Sequence, residues 1–275
     1  MNFILLDSSY LIFYRYFAIK QWWSHAHSDN PLPENAFESE ELVEKFTKIF
    51  QESILTIKKK LKLYNKKTPI PCTVIAARDC PRDQIWRNDL FSTYKESREK
   101  KTDPSVGLFF KHVYNNDLLF KAGADYIMRF PNLEGDDIIA ITKNYIREKY
   151  PEADIYIITN DHDMLQLMDE NTHIINLQYK NLRDNKKVFP EADKNLFFKI
   201  ILGDKSDDIS PVFSKCGPKT AEKYYENRED FEKALDKEGV RDRYELNKKI
   251  VSFSEIPRKL VDAFIQENRE ILDGL

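Results

Sequence analysis

Short apolar runs recur along this chain, and each runs out at a carboxylate. Phe3-Ile4-Leu5-Leu6 leads into Asp7, and Cys72 to Ala77 leads through Arg78 to Asp79. Tyr126-Ile127-Met128, stopped by Pro131, precedes Glu134, Asp136 and Asp137; Asp154 to Ile158 leads to Asp161 and Asp163. Unalternating runs of this length fit strands buried on both faces. Between them, Ser8 to Ala18, Glu40 to Leu63, Ser105 to Lys121 and Glu134 to Lys149 carry helical patterns, with the second the most clearly amphipathic. Residues 21 to 38, with Trp22, Trp23, Pro31 and Pro33, read as a loop. Thr172 to Leu177 is a further candidate strand. Strands alternating with helices through about residue 200 predict an α/β core, 1–200, with a mainly parallel central sheet flanked by helices. After Phe189 the pattern is helical only, which predicts a helical C-terminal subdomain, 201–275.

In a parallel sheet the carboxylates that follow the strands share one edge, where open α/β folds place their sites. Asp204 and Asp207 stand at the entry to the helical region and could fold over that edge. Acids after strands also serve as helix N-caps and dipole partners, so any one of them alone says little. Five groups reaching one edge say more. Such crowding raises carboxylate pKa values by repulsion unless cations bind. Oxygen ligands without organised His or Cys suit Mg²⁺ or Mn²⁺. Two such ions about 4 Å apart activate water and stabilise a leaving oxygen in phosphodiester cleavage.

Composition narrows the alternatives. With 41% hydrophobic and 32% charged residues, wholesale disorder is excluded. No apolar run approaches the roughly 20 residues of a membrane helix. The three cysteines form no CxxC pair and fit an intracellular, reducing compartment. The net charge of −3 supplies no bulk field for nucleic acid, but clustered carboxylates that bind metal would leave the remaining surface more basic. The stretch from Cys80 to Thr102 carries Arg82, Arg87, Lys95, Arg98, Lys100 and Lys101, interleaved with Trp86, Phe91 and Tyr94. It reads either as a track for a single strand or as a packed loop with Trp86 and Phe91 as core. Lys58, Lys59, Lys60, Lys62, Lys66 and Lys67 read as a solvated helix end, with non-specific phosphate contact as the alternative. His25 and His27 read as surface residues.

Taken in order, these motifs resemble the 5′-nuclease or flap-endonuclease superfamily, whose core is PIN-like. The likeness is to phage and viral members, including the T-even phage RNase H, and to the 5′-exonuclease domain of bacterial DNA polymerase I. It runs from Phe3 to about Tyr225. Leu6-Asp7-Ser8 with Tyr14-Arg15 is similar to the family's first metal motif. Asp79 followed by Trp86-Arg87 and Tyr94-Lys95 to Arg98 resembles the second. Leu133-Glu134-Gly135-Asp136-Asp137 resembles Glu-Ala-Asp-Asp, and Thr159-Asn160-Asp161-His162-Asp163 resembles Thr-Gly-Asp-Lys-Asp. Gly203-Asp204 to Asp207-Asp208-Ile209 is similar to Gly-Asp-x-x-Asp-Asn-Ile. Cys216-Gly217-Pro218-Lys219-Thr220-Ala221 resembles the helix–three-turn–helix element that grips duplex DNA, with Lys215 in place of a family glycine.

The resemblance implies a stand-alone viral or phage-type enzyme. Its Asp7, Asp79, Glu134 and Asp136 would hold one Mg²⁺, and Asp161, Asp163 and Asp204 a second. Asp137 would bridge them and Asp207 would act through water; Mn²⁺ would substitute. Lys95 and Arg98 would orient the scissile phosphate. Residues 80–104 would form the arch over the site. Tyr14, Arg15, Arg82, Arg87, Tyr94, Gly217, Lys219 and Thr220 would meet DNA, with a K⁺ beside the last three as a further option. Expected substrates are 5′-flap, nicked or branched duplexes and RNA/DNA hybrids, cut by a monomer working with separate replication proteins. Two other readings stay open: a structural DNA binder without catalysis, and an RNA-directed PIN-type endonuclease.

Overall fold

The computed structural model describes residues 1–64, 70–99 and 103–275, the side chains of Arg98 and Glu99 excepted. Lys66, Lys67, Lys100, Lys101 and the Arg98 side chain, named above, therefore lie outside the described residues. Five strands, β1 (Asn2–Asp7), β2 (Cys72–Ala77), β3 (Tyr126–Met128), β4 (Asp154–Ile158) and β5 (Thr172–Ile175), form one sheet in the order β3-β2-β1-β4-β5. Every neighbouring pair is parallel. The first half of the chain adds helices α1 (Ser8–Ala26), α2 (Glu40–Gln51), α3 (Ser53–Lys60), α4 (Glu96–Glu99), α5 (Val106–Asn115), α6 (Leu118–Ala122) and α7 (Gly135–Lys149). The second half adds α8 (Ala192–Leu202), α9 (Pro218–Glu226), α10 (Arg228–Glu238), α11 (Arg241–Val251), α12 (Arg258–Glu267) and α13 (Arg269–Gly274). The expected α/β class with a parallel sheet and a helical C-terminal region stands.

Both sheet faces are covered, which is why the strands read as continuous apolar runs. Ile4, Leu6, Val74, Ala76 and Ile158 enter one core cluster with α1 to α3, α5 and α6. Phe3, Leu5, Ile75, Ala77, Ile155 and Ile157 enter the other with α7 and, through Phe264 and Leu272, with α12 and α13. The chain leaves β1 toward β2 and β3, then crosses to β4 and β5 on the other side. Right-handed crossovers put the helices of these two excursions on opposite faces. A crevice opens at the carboxyl ends of β1 and β4, where the direction of winding reverses.

Helix limits differ from the sequence expectation for local reasons. Helix α1 runs on to Ala26, because Trp23 is buried in the first cluster and its indole N–H donates to the Asn30 carbonyl. The long helix expected over 40–63 breaks at Glu52. There buried Ser53 donates its hydroxyl to the Ile49 carbonyl one turn back, a bond that bends helices. The helix expected over 105–121 divides at Asn116 and Asp117, the latter at φ +52°. Among the described residues no helix is long and apolar enough to cross a membrane.

Two further clusters tie the helical region down. Phe197, Ile201, Phe213, Phe231 and Leu235 join α8 to α9 and α10. Cys80, Ile85, Tyr94, Ile200, Ile209 and Val251 join the segment after β2 to α8 and α11. The turn between α8 and α9 depends on Gly203, at φ +69°, where a Cβ would lie 2.4 Å from the Ile209 carbonyl oxygen. Left-handed strain plus that backbone clash predicts that Gly203→Ala lowers stability by more than about 2 kcal/mol in urea titrations.

Candidate active site

The strand ends deliver the carboxylates, and local turns fix them. Asp7 closes β1 and caps α1: one oxygen accepts the Tyr10 N–H at 2.9 Å, the other the Thr159 hydroxyl at 2.9 Å. Asp79 accepts the Gly135 N–H at 2.6 Å and the Ser9 hydroxyl. Asp161 caps the turn after β4 by accepting the Asp163 N–H at 2.8 Å. Glu134 is the N-cap of α7, which carries Asp136 in its first turn. These five carboxylates, Asp7, Asp79, Glu134, Asp136 and Asp161, surround one cavity of about 490 Å³ together with Lys95 and Arg82. Both sequence readings of these acids hold at once, since three of them are caps and all five share the edge.

Their charges are crowded. Burial, then the neighbouring Asp79, push the Asp7 carboxyl up to about 7. Burial, Asp161 and Asp7 push Asp136 well above the usual carboxylate range. Asp136 has neither a hydrogen bond nor an ion pair among the described residues. A cavity that gathers five carboxylates, one of them without a hydrogen bond or ion pair among the described residues, fits a hard divalent cation in kind. Among the described residues, however, no three His, Cys, Asp or Glu side chains are drawn together as a ready-made metal cluster.

Behind the cavity lies a buried ionic network. Arg87, 3% exposed, donates to Glu134 at 2.9 Å, to Asp137 at 2.7 and 2.9 Å, and to the Ile250 carbonyl at 2.7 Å. Asp137 also accepts from the Trp86 indole and the Glu134 N–H. Three of these four bonds go to one carboxylate oxygen and one to the other, so Asp137 is tied into the network behind the cavity. Arg87 and Tyr94, expected to meet DNA, are both buried here and both bond Glu134. Trp86 is core, as the packed-loop reading of this segment expected.

Lys95 sits at φ +57° and reaches into the cavity, 2.7 Å from Glu134 and 3.9 Å from Asp207. Burial disfavours its charge, but Glu134, Tyr94 and Asp207 outweigh that and hold it protonated. Its backbone is pinned, with the N–H donated to the Asp207 carbonyl and the carbonyl accepting from Arg82. Tyr14 packs on the first core cluster and Arg15 donates to Ser53, so neither lines the cavity. Gly217 is the N-cap of α9, where Lys219 is exposed and Thr220 half-buried.

Asp163 and Asp204 are clasped by Lys199, a residue that sequence reasoning missed. The signal was its place in the last turn of α8, just before Gly203 and Asp204. The two acids hold Lys199 protonated against burial, and it helps hold Asp204 down at about 2. The three thiols are free, and burial pushes that of Cys80 up to about 12.

A parallel sheet with acids gathered at its switch point, and a charged lysine among them, is an arrangement suited to metal-assisted phosphodiester hydrolysis. The family profile described as "5′-3′ exonuclease, N-terminal resolvase-like domain" matches residues 2–193. A 5′-3′ exonuclease of Mycoplasmopsis pulmonis is 31% identical over 217 residues, 69% of this chain and 70% of that protein. One from Aquifex aeolicus is 31% identical over 157 residues, 55% of this chain and 51% of that protein. In structure, the bacteriophage T5 flap endonuclease, crystallised as a pseudo-enzyme–product complex with DNA and metal ions, aligns with a TM-score of 0.64 at 15% identity. That alignment covers 99% of this chain and 100% of the other, and shows a shared fold. The chain belongs to the 5′-3′ exonuclease family, and the expected 5′-nuclease class of hydrolase stands.

Two outcomes follow from the charge arrangement. Arg87→Ala leaves buried Asp137 without its cation, and Glu134 with Lys95 alone, and should cost about 3–5 kcal/mol in urea unfolding. The folded, metal-free protein keeps a proton on Asp7 up to about pH 7 that the unfolded chain loses near 3.8. The folded state thus binds more protons in that window, so its stability should fall as pH rises through it and level off above. Unfolding in chelator across that range checks this, and Asp7→Asn should reduce the slope.

Proposed function

We propose that this chain is a divalent-metal-dependent, structure-specific 5′-3′ exonuclease and flap endonuclease. It hydrolyses phosphodiesters of branched, nicked or RNA-primed DNA in replication and repair. The observation that carries this reading is the one cavity where five carboxylates, one of them without a hydrogen bond or ion pair among the described residues, face a charged lysine. The family membership and the DNA and metal ions named with the T5 structure support it.

Asp7, Asp79, Glu134, Asp136 and Asp161 hold the divalent cation, with Mg²⁺ the physiological choice and Mn²⁺ a substitute. Asp163 and Asp204 serve a second ion once Lys199 yields them, with Asp207 acting through water. Bound cations supply the charge that activates a water and stabilises the leaving oxygen. The protein's own share is positional. Lys95 is kept protonated at the cavity wall, where it neutralises charge building on the phosphate. Arg82 and the Asp207 carbonyl fix the Lys95 backbone, so little ordering remains for the reaction itself. Arg98 is proposed to assist from the segment 80–104, for which the role of an arch is likewise proposed. The region 201–275, with Gly217, Lys219 and Thr220 at the start of α9, is proposed to grip duplex phosphates as a helix–three-turn–helix element, with K⁺ beside it.

The test uses one labelled 5′-flap duplex, with and without Mg²⁺, beside a matching single strand. Mg²⁺-dependent cutting near the junction, with the single strand mostly intact, is the expected result. Asp161→Ala should abolish cutting and leave duplex binding measurable, and Lys95→Ala should slow it about 100-fold. Binding without cutting in Mg²⁺ and Mn²⁺ would overturn the enzyme reading.

A further inference from the structure

Next to the carboxylate cavity lies another of about 540 Å³, and the two share Ser9, Asp79 and Cys80 as a wall. Its lining is of a different kind. Arg78 and Arg129 both border it, and neither guanidinium makes a hydrogen bond or ion pair among the described residues. The Arg78 guanidinium lies 3.8 Å from the centre of the Tyr114 ring. Phe110 stands edge-on to Tyr114, with centroids 6.2 Å apart, and both rings line the cavity. Asp79 and Glu267 border it too. Asp79 accepts from the Ser9 hydroxyl and the Gly135 N–H, and neither Asp79 nor Glu267 forms an ion pair with the two arginines among the described residues.

Guanidinium donors without a protein acceptor suit a phosphate, which they bind in a planar fork. Aromatic rings lining the same cavity suit a base, by stacking that does not depend on sequence. A base within a duplex has both faces covered by its neighbours, so such a wall serves an unpaired one. The shared wall places that nucleotide directly beside the phosphodiester presented to the carboxylates.

We infer that the second cavity holds the first unpaired nucleotide of the strand being cut. Its phosphate meets Arg78 and Arg129, and its base lies against Phe110 and Tyr114. The inference rests on the nuclease reading and adds to it a subsite for the single-stranded arm.

The test compares a nicked duplex with one carrying a two-nucleotide 5′ flap, in Mg²⁺, using the full chain. Arg78→Ala and Arg129→Ala should each raise KM on the flap roughly ten-fold and leave the nicked duplex unchanged, the size of one lost charged hydrogen bond. A neutral methylphosphonate between the two unpaired nucleotides should raise the wild-type KM alike and erase the effect of Arg129→Ala. Anisotropy of the labelled flap gives a readout independent of cutting: Arg129→Ala should weaken Kd on the phosphodiester flap only. Equal losses on both duplexes, or a methylphosphonate without effect, would overturn the subsite. Arg129 is exposed, so its variant carries the test even if Arg78→Ala fails to fold. If the wild-type protein cut neither duplex, the nuclease reading would fail, and the anisotropy series alone would decide the subsite.

Discussion

One buried guanidinium holds the active edge of this protein together. Arg87 joins three parts of the chain that are remote in sequence: the segment after β2, the start of α7 and the end of α11. An unpaired charge at that depth is costly, so the network is all or nothing. Its geometry decides which acids remain for chemistry. Asp137 is paired with Arg87, Glu134 is shared between Arg87 and Lys95, and Asp136 next to them in the same helix turn has no hydrogen bond or ion pair among the described residues. Adjacent residues in one motif thus take opposite roles, because a helix turns about 100° per residue.

Much of this was readable from the chain. The strands were legible because burial on both faces leaves short unbroken apolar runs, and Cys72–Ala77, Tyr126–Met128 and Asp154–Ile158 fall at the expected residues. The gathering of Asp7, Asp79, Glu134, Asp136 and Asp161 was legible because a parallel topology sends every strand end to one edge. What stayed hidden depended on contacts between distant residues. Nothing near Arg87 announces Asp137, 50 positions away. Nothing local told that Trp23 would be buried and so extend α1, or that Lys199 would meet Asp163. A basic, aromatic-rich segment reads as a nucleic-acid track, yet Trp86, Arg87 and Tyr94 are spent on packing and pairing inside the protein.

Charge balance gives the edge two kinds of carboxylate. Asp204 is held ionised by Lys199, whereas Asp7, Asp136 and Asp163 are pushed up by burial and by neighbouring carboxylates. The first kind stabilises the fold without help. The second is a standing electrostatic cost that a bound cation would relieve, and folding and loading of the site would then be thermodynamically linked.

The acids that cap helices have an evolutionary consequence. Asp7 and Asp161 each satisfy backbone or hydroxyl donors through a side-chain oxygen. Asparagine caps about as well as aspartate but brings no charge. Under the proposed function, a single Asp-to-Asn step at such a position would silence the chemistry while the turn, the sheet edge and any surface that holds DNA persisted. A lineage of this architecture can therefore drift from cutting nucleic acid to merely holding it without first passing through an unfolded intermediate sequence.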